Sequence, residues 1–299
     1  MTVMLASCGG ATGSGEGKLS GASLAVGSKD FSENIILGYI TKLALEEEGA
    51  TVEDRTNIQG SVATRNALTS GEIDIYWDYT GTAWITYLKH TKPIPDSKKQ
   101  FQAVAKEDLK KNGIKWLPRA PLNNTYALAV RSEAAKKLGV SKLSDLQTLY
   151  EENPDAVTIC VESEFKTRDD GLPGMLKAYN LQDLPTDNIK VVETGVIYTE
   201  VDKGTSCNFG EVFATDGRID ALNLTVLEDD RSFFPIYNAA PTLKEKTFKK
   251  NPEIKEILAP IAAKLDTKTM SQLNAQVDVQ GEDPEDVAQE WLEKEGFIS

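Results

Sequence analysis

The chain has 299 residues, about twice the usual length of one domain, so a two-lobed body is expected. Its 40% apolar and 26% charged residues are typical of a globular protein. Asp plus Glu number 46 against 33 Lys plus Arg, which gives a formal net charge of -13. This acidic balance argues against a protein that binds the phosphate backbone of nucleic acids. No run approaches the roughly 18 consecutive apolar residues that a membrane-spanning helix needs.

The first 21 residues are predicted to lie outside the folded body. Leu5-Ala6-Ser7-Cys8 resembles the lipobox of bacterial lipoproteins, in which the cysteine is lipidated and tethers the chain to the outer face of the membrane. Only seven residues precede Cys8, so we expect residues 1–7 to be the remnant of a longer signal. A glycine-rich stretch follows and is typical of a flexible linker. The alternative is an incidental cysteine in a disordered amino terminus.

Strand and helix patterns alternate from residue 23 onward. Residues 23–27 read as a short buried strand, and apolar residues then recur at helical spacing up to Gly49, which suits a helix end. Further strands are predicted over residues 73–79, 123–130, 157–161, 189–192 and 207–213, and helices over 62–68, 83–88, 133–138, 143–149, 174–179, 196–201 and the tail from 243. Such alternation is typical of parallel sheets flanked by helices.

Cys160 and Cys207 are predicted to form a disulfide. If Cys8 is an anchor, they remain as an even pair in a chain that faces an oxidising exterior. Both lie in strand-like stretches that could be neighbours in one sheet, and closing the loop would stabilise the fold by about 4 kcal/mol. Two buried free thiols are the alternative. A zinc site is not expected, because the cysteines are isolated and His90 is the only histidine.

Residues with catalytic potential are scarce. Any Ser-His or Cys-His pair would have to use His90, and a surface histidine is the simpler interpretation. The acidic pairs Asp169-Asp170 and Asp229-Asp230 are interpreted as solvated loop charges in preference to acid-base partners or metal ligands. We therefore expect no catalytic residue, no bound metal and no cofactor.

Four aromatic residues lie at or near the ends of predicted strands, where ligands bind in open α/β sheets: Tyr79, Tyr126, Phe213 and Tyr237. If their rings converge, they form a box for a cation that cannot donate hydrogen bonds, such as a quaternary ammonium. Each ring would then contribute roughly 0.5 to 2 kcal/mol. Taken singly, a ring of this kind more often serves simple packing in the core or at its rim.

Five motifs occur in order along the chain. They are Val26-Gly27-Ser28-Lys29-Asp30-Phe31-Ser32-Glu33-Asn34, Tyr79-Thr80-Gly81-Thr82-Ala83, Tyr126-Ala127-Leu128-Ala129-Val130-Arg131, Arg168-Asp169-Asp170-Gly171-Leu172-Pro173-Gly174 and Thr215-Asp216-Gly217-Arg218-Ile219. Together they resemble the motifs of the substrate-binding proteins of osmoprotectant ABC importers, which bind glycine betaine, choline, carnitine and related quaternary amines. The resemblance continues through Val277-Asp278-Val279 and so covers the chain after the linker.

The resemblance implies an α/β fold with two lobes, known as a Venus flytrap. Each lobe is expected to hold a mostly parallel sheet flanked by helices, and the chain is expected to cross between the lobes twice. Residues 22–124 and 233–299 would form the first lobe, and residues 125–232 the second. The implied function is that of a monomeric, extracytoplasmic receptor, anchored through Cys8, that hands its ligand to an ABC transporter permease.

The resemblance also implies a ligand site between the lobes. Its residues are an aromatic box of Tyr79, Tyr126, Phe213 and Tyr237, a carboxylate subsite of Lys29, Thr82 and Arg168, a main-chain contact near Asn124, and Asn34, where a glutamine is frequent in the family. Phe213 stands where relatives place a tyrosine, so the ring face is kept and the hydroxyl is missing.

Lys29 and Arg168 favour a ligand with a carboxylate, so glycine betaine is expected ahead of choline. Carnitine and ergothioneine carry both groups as well and stay open as ligands. Two different classes of protein also stay open, namely an enzyme on the same fold and a purely structural surface protein. The shortage of histidine and of nucleophile motifs counts against the enzyme.

Overall fold

A computed structural model describes residues 17–299; the predicted anchor Cys8 lies outside them. The strands of the described part are β1 Ser23–Lys29, β2 Thr51–Ile58, β3 Ile75–Tyr79, β4 Ile114–Trp116, β5 Tyr126–Arg131, β6 Ile159–Val161, β7 Ile189–Val191, β8 Phe209–Phe213, β9 Leu224–Val226 and β10 Ala239–Lys244.

The helices alternate with these strands in the first two thirds of the chain and follow one another at its end. They are α1 Ser32–Glu47, α2 Ser61–Ser70, α3 Thr80–Thr82, α4 Ser97–Asn112, α5 Ser132–Leu138, α6 Asp145–Glu152, α7 Ser163–Thr167, α8 Leu172–Ala178, α9 Thr194–Lys203, α10 Arg218–Ala221, α11 Glu245–Lys250, α12 Ile254–Lys264, α13 Thr267–Asp278 and α14 Pro284–Glu295. The turn Ala83–Tyr87 continues α3 as a π-helix.

The strands form two five-stranded sheets, with the order β2-β1-β3-β10-β4 in the first and β7-β6-β8-β5-β9 in the second. We call the first sheet with α1–α4 and α11–α14 the first lobe, and the second sheet with α5–α10 the second lobe. The chain passes to the second sheet after β4 and returns after β9. The two-lobed α/β fold with two crossings is thus confirmed, while the lobe limits at residues 124 and 233 stay a prediction.

Each sheet is mostly parallel, as expected, because four of its five strands run in the same direction; one reversed strand, β10 in the first sheet and β5 in the second, makes it mixed. β1 is parallel to β2 and β3, and β6 is parallel to β7 and β8. β10 is antiparallel to β3 and β4, and β5 is antiparallel to β8 and β9. The reason lies in the crossings: β5 and β10 are the first strands after each crossing. They start at the edge that faces the other lobe and run away from it, whereas β3 and β8 run toward it.

Several elements escaped the sequence analysis. β2 is an edge strand with mostly exposed side chains, so it lacks the apolar alternation that marks a half-buried strand. β4 and β9 have three residues each, and β10 contains Pro241. Proline usually argues against a strand in the middle of a sheet.

The predicted disulfide is confirmed: Cys160 and Cys207 are bonded, with their Cα atoms 5.7 Å apart. Cys160 lies in β6, and Cys207 comes two residues before β8 instead of within a strand. The parallel pairing of β6 with β8 brings the two cysteines side by side. Among residues 17–299, no helix combines the length and the apolar character needed to span a bilayer.

Candidate functional site

A cavity of about 300 Å³ lies between the two lobes, at the edge where β3 and β8 end and β5 begins. The structure brings most of the predicted ligand-binding residues to this cavity: Lys29, Tyr79, Thr82, Asn124, Tyr126, Phe213 and Tyr237 all line it. Arg168 and Asn34 do not line it. The convergence of the four predicted rings is therefore observed in the structure.

Strand register explains how distant parts of the chain meet here. Tyr126, the first residue of β5, lies directly opposite Phe213, the last residue of β8. In the first lobe, Tyr79 ends β3 and pairs with Ala239 at the start of β10. The two crossing segments also bond to each other, since the Asn124 N–H donates to the Tyr237 carbonyl at 3.1 Å.

A fifth ring, Phe31, links the aromatic residues of the two lobes. Its centroid lies 5.9 Å from that of Tyr79 and 5.3 Å from that of Phe213, on which it stacks. In the second lobe, the ring of Tyr126 lies 5.5 Å from Phe213 and meets Tyr237 edge-on at 5.3 Å. All five rings line the cavity. We call Phe31, Tyr79, Tyr126, Phe213 and Tyr237 the aromatic cage.

Phe31 was not among the residues predicted for the cage, although it belongs to the first matched motif. It caps the N-terminus of α1, two residues after β1 ends. β1 is parallel to β3, so Phe31 emerges at the same sheet edge as Tyr79. Its position just after a strand parallel to β3 could have identified it as a cage residue.

Hydrogen bonds fix the orientation of two cage tyrosines. The Tyr79 hydroxyl donates to Glu33 Oε1 at 2.7 Å, and the Tyr237 hydroxyl donates to Asp170 Oδ2 at 2.5 Å. Burial raises the pKa of Tyr79, Tyr126 and Tyr237 well above its usual value. The cage therefore presents neutral, electron-rich rings at physiological pH, and such ring faces attract cations.

A glycine allows the Tyr237 ring to reach its place. Gly81 lies directly beneath the ring, and a Cβ atom at this position would come within 2.5 Å of Tyr237 Cε1. The Thr80-Gly81-Thr82 turn of the first lobe therefore needs a glycine at its centre. Thr82, the next residue, is buried and lines the cavity as predicted.

Glu33, another residue that the sequence analysis left unassigned, joins the two lobes behind the cage. Its carboxylate accepts hydrogen bonds from Tyr79, from Asn124 Nδ2 at 2.9 Å and from Asn274 Nδ2 at 3.2 Å. It also accepts one from the hydroxyl of Thr215, a residue of the second lobe. Burial raises the pKa of Glu33, although these four donors act in the opposite direction.

Lys29 is held by partners within the first lobe. Its Nζ lies 3.1 Å from Asp78 Oδ1 and donates to Ser61 Oγ at 3.0 Å. The same ammonium lies 5.1 Å from the centroid of the Tyr79 ring. Lys29 is only 3% exposed, so its charge is balanced mainly by Asp78.

Arg168 is likewise engaged, in the second lobe. Its guanidinium makes a paired contact with Asp170, at 2.8 Å and 2.6 Å, and a third bond to Glu164 Oε1 at 2.7 Å. It lies next to the cage, with Cζ 5.6 Å from the centroid of the Tyr126 ring. A contact between Arg168 and a ligand carboxylate stays a prediction.

Asn34 supports the cavity from behind. It is fully buried, accepts a hydrogen bond from the Lys29 N–H at 2.6 Å and donates to the Trp77 carbonyl at 3.0 Å. These bonds tie the end of β1 to β3. The structure thus places Asn34 in a structural position, away from the cavity lining.

Carboxylates outnumber ammonium groups along the cavity. Lys29 is the only Lys or Arg among the lining residues of the described chain, whereas four acidic residues line it: Asp30, Glu162, Glu164 and Glu193. Opposite charges attract more strongly in a partly dry cleft than in water. The lining therefore favours a cationic ligand.

One further carboxyl lies behind the cage. Glu211 is on β8, two residues before Phe213, and is 1% exposed. Its Oε2 accepts a hydrogen bond from the Glu162 N–H at 3.0 Å. Burial, followed by the charge of Glu162, raises the pKa of Glu211 to about 8. Glu211 is therefore mostly protonated at neutral pH.

Comparisons with known proteins agree with this geometry. A family model described as the substrate binding domain of the ABC-type glycine betaine transport system matches residues 22–294. The glycine-betaine-binding protein of Pseudomonas aeruginosa is 35% identical over 281 residues, which cover 92% of this chain and 89% of the relative. An ergothioneine transport permease/ergothioneine binding protein of Helicobacter pylori is 34% identical, over 92% of this chain and 48% of the relative. The structure of apo YehZ from Escherichia coli, 33% identical, matches 92% of this chain and 99% of that one with a TM-score of 0.68.

These matches confirm the resemblance found in the sequence and, at the level of the family, the expected class of function. The protein is a solute-binding receptor of an ABC importer and not an enzyme, and the family acts outside the cytoplasm. With a family model that spans nearly all of the described residues and a relative above 30% identity, the chain belongs to the family of substrate-binding domains of ABC-type glycine betaine transport systems.

Proposed function

We propose that the aromatic cage captures a small quaternary-ammonium solute, with glycine betaine as the leading candidate, for delivery to an ABC transporter permease. One observation carries the proposal: five rings, contributed by both lobes, line a single cavity between them. A methylated ammonium cannot donate hydrogen bonds, so ring faces are its natural partners.

Cavity size and charge agree with such a ligand. A volume of about 300 Å³ lies at the lower end of the range for small-molecule sites. Four lining carboxylates face one lysine, which suits a positive head group. Micromolar binding corresponds to about -8 kcal/mol, and we assign it to several cation–ring contacts of roughly 0.5 to 2 kcal/mol each together with a paired carboxylate, after ordering costs.

The identity of the solute is the finer part of the proposal. The Pseudomonas aeruginosa relative is named for glycine betaine and the Helicobacter pylori relative for ergothioneine, and both compounds carry a quaternary ammonium together with a carboxylate. We assign the carboxylate of such a ligand to Lys29, Thr82 and the main chain near Asn124, with Arg168 joining after it exchanges partners. Choline is the alternative ligand.

Four further features complete the proposal. Cys8 is the lipid anchor that holds the chain at the outer face of the membrane, and the receptor acts as a monomer. The lobes divide at residues 124 and 233, and ligand binding drives their closure because the closed form offers contacts from both sides.

Calorimetry with glycine betaine and choline tests the proposal. The natural chain is expected to bind at least one of them, and the double variant Tyr126→Ala/Tyr237→Ala is expected to lose binding. Tyr150→Ala, which removes a partly exposed ring from α6 of the second lobe, serves as the control and should bind normally. Unchanged affinity in the double variant, or no binding of either ligand to the natural chain, would sink the proposal.

A further inference from the structure

Glu164 is the lining carboxylate that bridges the two lobes. It lies on α7 of the second lobe, and its Oε2 accepts a hydrogen bond at 3.1 Å from the N–H of Ser61, the first residue of α2 in the first lobe. Its other oxygen accepts from Arg168 Nη1 at 2.7 Å. Both oxygens of this carboxylate are thus bonded, one to each lobe.

The Glu164 carboxylate carries a negative charge at neutral pH. Burial alone would raise its pKa, but Arg168, Lys29 and the Ser61 N–H outweigh burial and lower the pKa below its usual value. The side chain is 29% exposed, so the charge is only partly screened by solvent.

This charge lies beside the cage. The ring of Phe165, the next residue in the chain, is 4.9 Å from the ring of Tyr126, and the Arg168 guanidinium that holds Glu164 lies near the same ring. Glu164 itself lines the cavity. A ligand in the cage therefore lies close to an ionised carboxylate.

The cations near the cavity are already balanced by the protein. Lys29 is paired with Asp78, and Arg168 is paired with Asp170 as well as with Glu164. A ligand carboxylate that enters the cavity therefore has to compete with Glu164 for Arg168 and for the Ser61 N–H. A ligand whose only charge is its ammonium meets no such competition.

We propose that Glu164 tunes ligand preference, by reducing the advantage that quaternary amines with a carboxylate have over those with a positive charge alone. The inference deepens the proposed function and rests on it. Glu164 attracts the ammonium of either class, but it repels the carboxylate of a zwitterion and occupies its hydrogen-bond donors. Selectivity thus depends on a residue outside the aromatic cage.

The variant Glu164→Gln tests this role, because glutamine keeps the shape of the side chain and removes its charge. Calorimetry at pH 7 gives the dissociation constants of choline and of glycine betaine for the natural chain and for the variant. We expect the preference for choline relative to glycine betaine to fall by about tenfold, the equivalent of about 1.4 kcal/mol. Loss of the bridge between the lobes affects both ligands equally, so it cancels in the ratio.

Glu152→Gln is the matched control, because Glu152 is an exposed residue of the second lobe that does not line the cavity. The ratio of its dissociation constants for choline and glycine betaine should equal that of the natural chain. Glu164→Ala provides a second charge-removing variant and should give the same shift if Glu164→Gln does not fold. If the ratio in Glu164→Gln stays within twofold of that of the natural chain, or shifts in favour of choline, the role of Glu164 is overturned and the proposed function still stands. Failure of both ligands to bind the natural chain would overturn the proposed function together with this inference.

Discussion

The ring of Phe31 in the first lobe stacks on the ring of Phe213 in the second, with centroids 5.3 Å apart and planes 27° apart. This contact spans the cleft and connects the two halves of the cage. Phe31 is also the cage residue that the sequence analysis did not identify, so its contribution to binding calls for a direct measurement.

Replacing Phe31 by alanine is expected to weaken binding of a quaternary amine by about tenfold, since one cation–ring contact contributes roughly 0.5 to 2 kcal/mol. Calorimetry measures the effect. Phe248→Ala is the control, because Phe248 packs in the first lobe against Lys115 and away from the cavity. Equal affinities of the Phe31 variant and the natural chain would remove Phe31 from the cage.

Gly81→Ala should displace the Tyr237 ring. The added Cβ would come within 2.5 Å of that ring, and overpacking of this kind costs about 1 to 3 kcal/mol. We expect a lower free energy of unfolding in urea and weaker binding of the ligand. Gly195→Ala in helix α9 is the comparison: its nearest neighbour would be a flexible arginine end at 3.2 Å, so stability should hold or rise slightly. Wild-type binding by the Gly81 variant would contradict the assigned packing.

Glu211 should stabilise the folded protein less as the pH rises. Its pKa is about 8 in the folded protein and near 4.5 when unfolded, so the folded state binds this proton more tightly. The stability that it contributes is complete below pH 4.5 and is lost as the pH rises toward 8. The loss is on the order of 5 kcal/mol.

Glu211→Gln should therefore flatten the decline in the free energy of unfolding between pH 5 and pH 8, measured by urea denaturation. The exposed variant Glu152→Gln should follow the natural chain. If the Glu211 variant and the natural chain give parallel curves, the assigned titration of Glu211 is wrong.

Loss of the disulfide should destabilise the second lobe. The bond joins residues 47 apart in sequence, and the loop-entropy relation gives about 4 kcal/mol for such a loop. We expect the double variant Cys160→Ser/Cys207→Ser, and the natural chain under a thiol reductant, to unfold at lower urea concentration. The reductant should leave the double variant unchanged. A reduced chain as stable as the oxidised one would mean that the bond contributes little.

Much of the site could be predicted because its residues lie in short motifs at strand ends. Tyr79, Tyr126 and Phe213 each end or begin a strand. Strand ends meet at one edge of a sheet in any open α/β fold, so local patterns were enough to group these residues. The disulfide followed from the even pair of cysteines. Motif matching added Lys29 and Thr82, which both line the cavity.

Other features depend on long-range pairing that no local pattern encodes. The partners of Arg168 and Lys29 could not be predicted, because Asp170 and Asp78 look like any other acidic residues in the sequence. The antiparallel strands β5 and β10 follow from the route of the crossings and not from the alternation of strands and helices. The polar edge strand β2 has no buried face to mark it.

The two crossings have a consequence for how the receptor can evolve. The segment before β5 holds Asn124 and leads into Tyr126, the segment before β10 holds Tyr237, and a hydrogen bond ties the two together. In the proposed closure, the backbone that bends therefore also carries two walls of the binding site. A substitution that weakens the bond between these segments also moves the cage residues they carry. A change in how the lobes open is therefore expected to change ligand preference as well.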